Sequence, residues 1–138
     1  MPLVRIDAPA ALPPERLRAV ADAVHAALVT HMNVPEADRF QIISRHEAQH
    51  LLIDPHYPSV ERTAEALVVS VMLRAGRTEA QKLAFYRAVV TQAARFGGIK
   101  PDDILIALSE NSPLDWSFGR GEALYAPVAA SPVRTAPA

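Results

Sequence analysis

The same order of elements occurs twice in this chain, and that repetition limits the folds open to it. Leu3, Val4 and Ile6 open the first unit as a short strand, and Pro9, Pro13 and Pro14 stop it. Pro14 suits the first turn of a helix. From Glu15 to His31, with Met32 just beyond, Leu17, Val20, Val24, Leu28 and Met32 recur at helical spacing. Asn33-Val34-Pro35 ends that helix, and Asp38 leads into a second strand, Phe40-Gln41-Ile42-Ile43. The second unit repeats this order about 65 residues later. Its strand is the run Ala66–Leu73, followed by the turn Arg74-Ala75-Gly76-Arg77. Thr78-x-x-Gln81 is a capping box. Leu83, Tyr86, Val90 and Ala93 are the expected buried face of the helix it starts, and Gly97 the expected stop. Pro101-Asp102-Asp103 then precedes the strand Ile104–Leu108.

Two strand–helix–strand units, about 2–46 and 65–110, predict an α/β (α+β) fold. Each unit contributes a pair of parallel strands, giving a four-stranded sheet with both helices on one face. The Leu67–Leu73 run is apolar on both of its faces, as in a strand covered on both sides. The helices cover only one, so a homo-oligomer is expected to cover the other. Between the units, residues 45–62 are polar and proline-containing, and read as a loop with one short strand at Leu51–Ile53.

The chain has 138 residues, of a size expected for one domain, placed at 1–126. The Pro/Ala-rich residues 127–138 are expected to be a disordered tail. A net charge of −1 gives no basic patch for nucleic acid, and no apolar run is long enough to span a membrane. The absence of cysteine excludes disulfides, thiolate zinc sites and cysteine nucleophiles. With no signal-like segment at its start, the chain is expected to be cytoplasmic.

Pro2 is the first candidate for chemistry. A small residue after the initiator is the context in which Met1 is clipped, which would leave Pro2 with a secondary amine. Terminal amines titrate near about 7.7–8.0, so burial or a nearby cation can bring one to physiological pH. Pro2 can also be a processing signal and nothing more. Arg74 and Arg77 lie between a strand end and a helix start, where ligands often sit in α/β sheets. There they can grip a carboxylate, or pair with surface acids as solvated side chains. Asp38 can orient a water, hold a terminal ammonium or cap a turn. Trp116 and Phe118 suit an apolar pocket wall, or core and interface packing. His25 lies at the edge of the first helix's apolar face and reads as a satisfied core histidine. His46-Glu47-Ala48-Gln49-His50 matches the zinc-hydrolase pattern His-Glu-x-x-His, with His56 as a conceivable third ligand. It directly follows a strand and lies in a proline-bounded loop, so it reads as a chance match.

Four segments carry a resemblance. Pro2-Leu3-Val4-Arg5-Ile6-Asp7, Val34 through Gln41, Gly76 through Lys82, and Glu110-Asn111-Ser112 with Asp115 through Gly121 resemble the tautomerase superfamily. Within it they are most similar to the malonate semialdehyde decarboxylase group. The likeness covers nearly all of residues 2–126 and implies trimers of tandem β-α-β units with an amino-terminal proline in a small pocket. It implies that Pro2 is the catalytic amine, that Asp38 works with it, and that Arg77 and Arg74 are catalytic and bind substrate. Trp116 and Phe118 match the apolar, substrate-binding wall. The spacing Arg74-x-Gly-Arg77 is similar to that of cis-3-chloroacrylic acid dehalogenases. Those enzymes carry a glutamate where this chain has Ser117 and a tyrosine near Ala107, which points away from hydrolytic dehalogenation.

The expected function is that of a cofactor-free enzyme, using no metal, in which Pro2 is general base or acid for keto–enol proton transfer on a small 2-keto acid. One alternative is decarboxylation of malonate semialdehyde, with hydration of unsaturated three-carbon acids. Another is a non-catalytic trimeric binding protein of the same fold.

Overall fold

The computed structural model describes residues 1–123. Six principal elements follow the chain: β1 (Pro2–Pro9), α1 (Pro14–His31), β2 (Gln41–His46), β3 (Leu67–Arg74), α2 (Glu79–Gly97) and β4 (Ile104–Asn111). The expected tail at 127–138 lies outside the described residues.

The strands form one mixed sheet in the order β2-β1-β3-β4. β1 and β2 are parallel, as are β3 and β4, and the two units meet where β1 runs antiparallel to β3. The four-stranded, two-helix arrangement expected from the duplication is therefore present. Alternation along the strands sorts the side chains. Val4, Ile6 and Ala8 of β1 and Val69, Val71 and Leu73 of β3 are buried with Val20, Val24 and Leu28 of α1 and Phe85 and Val89 of α2. Successive strand residues point to opposite faces, so the other face carries Ile42, Arg5, Val68, Ser70, Met72 and Leu105. Ile42, Met72 and Leu105 are 42%, 45% and 37% exposed there.

Local chemistry fixes the helix ends. Pro14 stands in the first turn of α1, where a missing N–H removes no helical hydrogen bond. α2 begins with the expected capping box between Thr78 and Gln81. It ends at Gly98, whose φ of 62° is left-handed, so the stop falls one residue later than the sequence suggested.

Two other expectations are corrected. The buried stripe of α2 is Phe85, Val89, Ala93 and Gly97, while Leu83 is exposed. α2 is apolar over a wide arc, so two stripes satisfy the same spacing; packing against α1 and the sheet selects the one through Phe85. Leu51–Ile53 is not a strand but irregular chain after a short 3-10 turn at Ala48–His50. Leu51 and Ile53 are only half-buried, and alternation without a neighbouring strand makes no ladder. Within one chain the Leu67–Leu73 run is fully buried toward the helices and only partly covered on its other face, the face expected to meet another subunit. No described helix is long and apolar enough to cross a membrane.

Candidate active site

The site is built where β1 begins and β3 ends. Pro2 is buried at the start of β1 and pairs with Leu73. Arg74 follows at the end of β3, beside Asn111 of β4. One residue ahead of Pro2, the α-ammonium of Met1 lies 3.0 Å from Oδ2 of Asp38, with side chains only 6% and 15% exposed.

Asp38 is held by the turn after α1. Its backbone N–H donates to the Pro35 carbonyl at 3.0 Å. His25 of α1 steadies the same turn, its Nε2 lying 2.8 Å from the Glu36 carbonyl oxygen, in line with a structural role.

Arg77 is half-buried. Its Nε donates to the Met32 carbonyl at 3.0 Å and its Nη1 to the Arg74 carbonyl at 2.9 Å. Both acceptors are neutral, so neither cancels its charge. Burial first, and then the charge of Arg74, hold the guanidinium's pKa below its ordinary value, while Glu110 and Asp38 act in the opposite direction. Glu110 is itself paired with Lys82. Arg77 remains a cation, since guanidinium ionises far above neutrality, but it is a desolvated one, the state in which it binds an anion most strongly.

Gly76, at φ 125°, makes the turn that separates the two arginines, a conformation L side chains rarely adopt. Beside it lies a cavity of about 180 Å³ lined by Met32, Asn33, Arg74, Gly76, Arg77 and Gln81. Its polar groups are two guanidiniums and two amides, a set suited to a small carboxylate.

The aromatic wall reaches the site from β4. The Trp116 indole N–H donates to Asn111 Oδ1 at 2.6 Å. Trp116 and Phe118 stack at 5.5 Å with ring planes 4° apart, and Phe118 meets Phe40 at 5.3 Å.

All the site residues singled out in the sequence thus cluster at one end of the sheet: Pro2, Asp38, Arg74, Arg77, Trp116 and Phe118. Phe40, Met32, Asn33 and Gln81 were missed. Phe40 had a legible signal, an aromatic directly after Asp38-Arg39 at a strand entrance. Met32 contributes only its carbonyl, which no side chain betrays. The His-Glu-x-x-His segment lies elsewhere. His46 ends β2 with its Nε2 2.7 Å from Asp7 Oδ1, and His50 ends the 3-10 turn. No helix places the two on one face as the zinc pattern requires.

A family model described as tautomerase enzyme matches residues 38–119, and another of the same description matches residues 2–61. The chain belongs to the tautomerase family. This tautomerase-family chain is 35% identical to Probable tautomerase YusQ of Bacillus subtilis (strain 168) over 123 residues, covering 89% of this chain and 97% of that protein. It is similar to a solved malonate semialdehyde decarboxylase inhibited by 3-bromopropiolate, at 37% identity and a TM-score of 0.83, with 89% of this chain and 93% of the other covered. A malonate semialdehyde decarboxylase solved in wild-type, mutant and inactivated forms to explain decarboxylase and hydratase activities is 34% identical, with a TM-score of 0.83 over 89% of this chain and 95% of that one. A fused 4-OT wild-type symmetric trimer shares the fold, at 22% identity and a TM-score of 0.72 over 89% and 97%.

Proposed function

We propose that this tautomerase-family protein is a cofactor-free enzyme that moves a proton between carbon and oxygen on a small 2-oxo acid, with the nitrogen of Pro2 as base and then acid. The observation that carries this is the Asp38 carboxylate, which holds the chain's amino terminus at 3.0 Å while feeling the desolvated Arg77 cation. Removal of Met1 turns the Pro2 amide into a secondary amine with a basic lone pair. Arg77, supported by Arg74, takes the substrate carboxylate and polarises the adjacent carbonyl. A neutral Pro2 nitrogen then accepts a proton from C3, the carbonyl becomes the enol, and the reverse transfer regenerates the oxo acid. Asp38 favours the protonated amine and the arginines disfavour it, and their balance sets which half-reaction is faster.

A second activity has its own support. The 37% and 34% identity to malonate semialdehyde decarboxylases, together with the Trp116–Phe118 wall, favours decarboxylation of a 3-oxo acid. A cationic Pro2 would polarise the 3-oxo group as CO₂ leaves, and the electron pair would pass through the enol to C2, which is then protonated.

Assembly as a homotrimer fits the half-exposed Ile42, Met72 and Leu105 on the sheet face away from the helices. The test uses protein whose intact mass shows Met1 removed. Hydrogen–deuterium exchange at C3 of pyruvate and CO₂ release from malonate semialdehyde are followed for wild type and Pro2→Ala. Enzyme-dependent rates lost in Pro2→Ala support a catalytic proline. Equal rates above background in the two proteins would remove Pro2 from the mechanism, and no rate above background in either would leave a non-catalytic binding protein of this fold.

A further inference from the structure

Carbonyls at the C-terminal end of a helix have no partner inside it. Past the end of α1, the Met32 carbonyl finds one in Arg77 Nε at 3.0 Å. That carbonyl belongs to the peptide unit that carries the Asn33 N–H, so the Arg77 guanidinium is bonded to the chain right beside Asn33. Asn33 turns the chain there with a φ of 55°. Glycine adopts this left-handed conformation with the least steric cost. Asparagine comes second, because its short side chain can hydrogen-bond to nearby backbone. The Asn33 side chain is exposed and makes no such bond among the described residues. The turn alone would be served as well by glycine.

The cavity of about 180 Å³ beside Gly76 is where that side chain has a use. Asn33 lines it together with Arg74, Arg77 and Gln81, and no acid lines it among the described residues. Two of these groups are partly committed. A guanidinium has five N–H donors, and Arg77 gives one to the Met32 carbonyl and one to the Arg74 carbonyl. Gln81 Oε1 accepts the Thr78 N–H at 2.9 Å, which ties that side chain to the start of α2. The Asn33 amide is uncommitted. It is also neutral, so it leaves both positive charges to an incoming anion. A carboxylate has about four acceptor positions, and one planar guanidinium fork takes two of them. A neutral donor at the same cavity can take another.

Resting on the proposed function above, we infer that Asn33 is a further substrate-binding residue, whose side-chain amide donates to the carboxylate that Arg77 and Arg74 hold. The carboxylate keeps its charge during proton transfer. The bond is therefore as strong before the step as during it, and its loss shows in binding.

The test uses mature full-length protein and two acids. Propanoate has the carboxylate and no oxo group, so its Kd, from titration followed by NMR, reports the cavity without catalysis. C3 exchange of pyruvate reports binding and turnover. Asn33→Gly keeps the left-handed turn and removes the amide. It is expected to raise Kd for propanoate and KM for pyruvate about ten-fold, with kcat within about two-fold. Asn33→Asp keeps the shape of the side chain but sets a carboxylate against the ligand's own, and should raise both constants about 100-fold. Asn33→Ala lacks the amide and also strains the turn, so it should bind as weakly as Asn33→Gly while melting at a lower temperature. Constants within about two-fold of wild type in Asn33→Gly overturn the inference, as does propanoate binding in Asn33→Asp no weaker than in Asn33→Gly. Wild type that binds propanoate but exchanges no pyruvate overturns the proposed proton transfer alone, and the Kd series still decides the role of Asn33. Wild type that binds neither acid overturns the inference.

Discussion

Asp38 and Asp103 stand at matching points of the two repeats, each in the turn that leads from a helix into a parallel strand. Their surroundings have made them different residues. Asp103 is 1% exposed; its Oδ1 accepts the Thr63 backbone N–H at 2.7 Å and its Oδ2 the Thr63 hydroxyl at 2.6 Å. Both donors are permanent, neutral parts of the loop that joins the repeats. Asp38 instead faces the charged first residue, a partner that processing can change. Position in the repeat supplies a carboxylate at each turn, and what meets it separates the architectural role of Asp103 from the chemical one proposed for Asp38.

The largest effect that tests this contrast is on rate. Pro2→Ala should lower kcat/KM about 10³-fold, and Asp38→Asn about 10²-fold, within the range for lost acid–base groups. Steady-state kinetics with either test substrate measures this. Asp38→Asn keeps the side chain's shape and an oxygen that can accept from the amino terminus, so it should cost less unfolding free energy than Asp103→Ala, about 1–2 kcal/mol. A large loss of stability there would erase the distinction between the two aspartates.

Asp103→Ala should do the opposite. Leaving two donors without their carboxylate costs about 3 kcal/mol, which for a chain of this length lowers Tm by roughly 10 °C. Turnover per folded molecule should stay within about two-fold. Thermal melts and active-site titration together check both halves.

Thr63→Val keeps the backbone bond to Asp103 and removes only the hydroxyl. It should cost about 1 kcal/mol in a denaturant titration. An effect as large as that of Asp103→Ala would mean that the hydroxyl, and not the backbone N–H, anchors the loop.

The smallest effect concerns pH. Hydrogen bonds from Arg16 hold the Glu65 carboxyl below its ordinary pKa. A lowered folded value means this stability is fully present above about pH 4.3, the ordinary value, and is lost as pH falls through the lower one. Both side chains are partly exposed, so the contribution is about 0.5 kcal/mol. Glu65→Gln should flatten the acid limb of stability against pH by that amount.

Much of the fold was legible because the duplication states it twice. The capping box at Thr78, the prolines before α1 and the aspartate turns all act locally, and each appears where its chemistry demands. The phase of α2 was not legible, since Leu83 and Phe85 are equally apolar and only tertiary packing chooses between them. Leu51–Ile53 misled for a related reason: alternation marks a strand only when a neighbour offers hydrogen bonds. In the site, Asp38, Arg74 and Arg77 announce themselves by charge. The Met32 carbonyl and the contact between Phe40 and Phe118 depend on chain segments that meet only after folding, so spacing along the sequence could not show them.

The ion pair between Met1 and Asp38 also bears on how the protein should be handled. Any extension fused ahead of Pro2, including a purification handle, would keep the imino nitrogen acylated and would crowd the space beside Asp38. A handle belongs at the other end of the chain, and specific activity in a preparation should scale with the fraction of molecules that an aminopeptidase has trimmed.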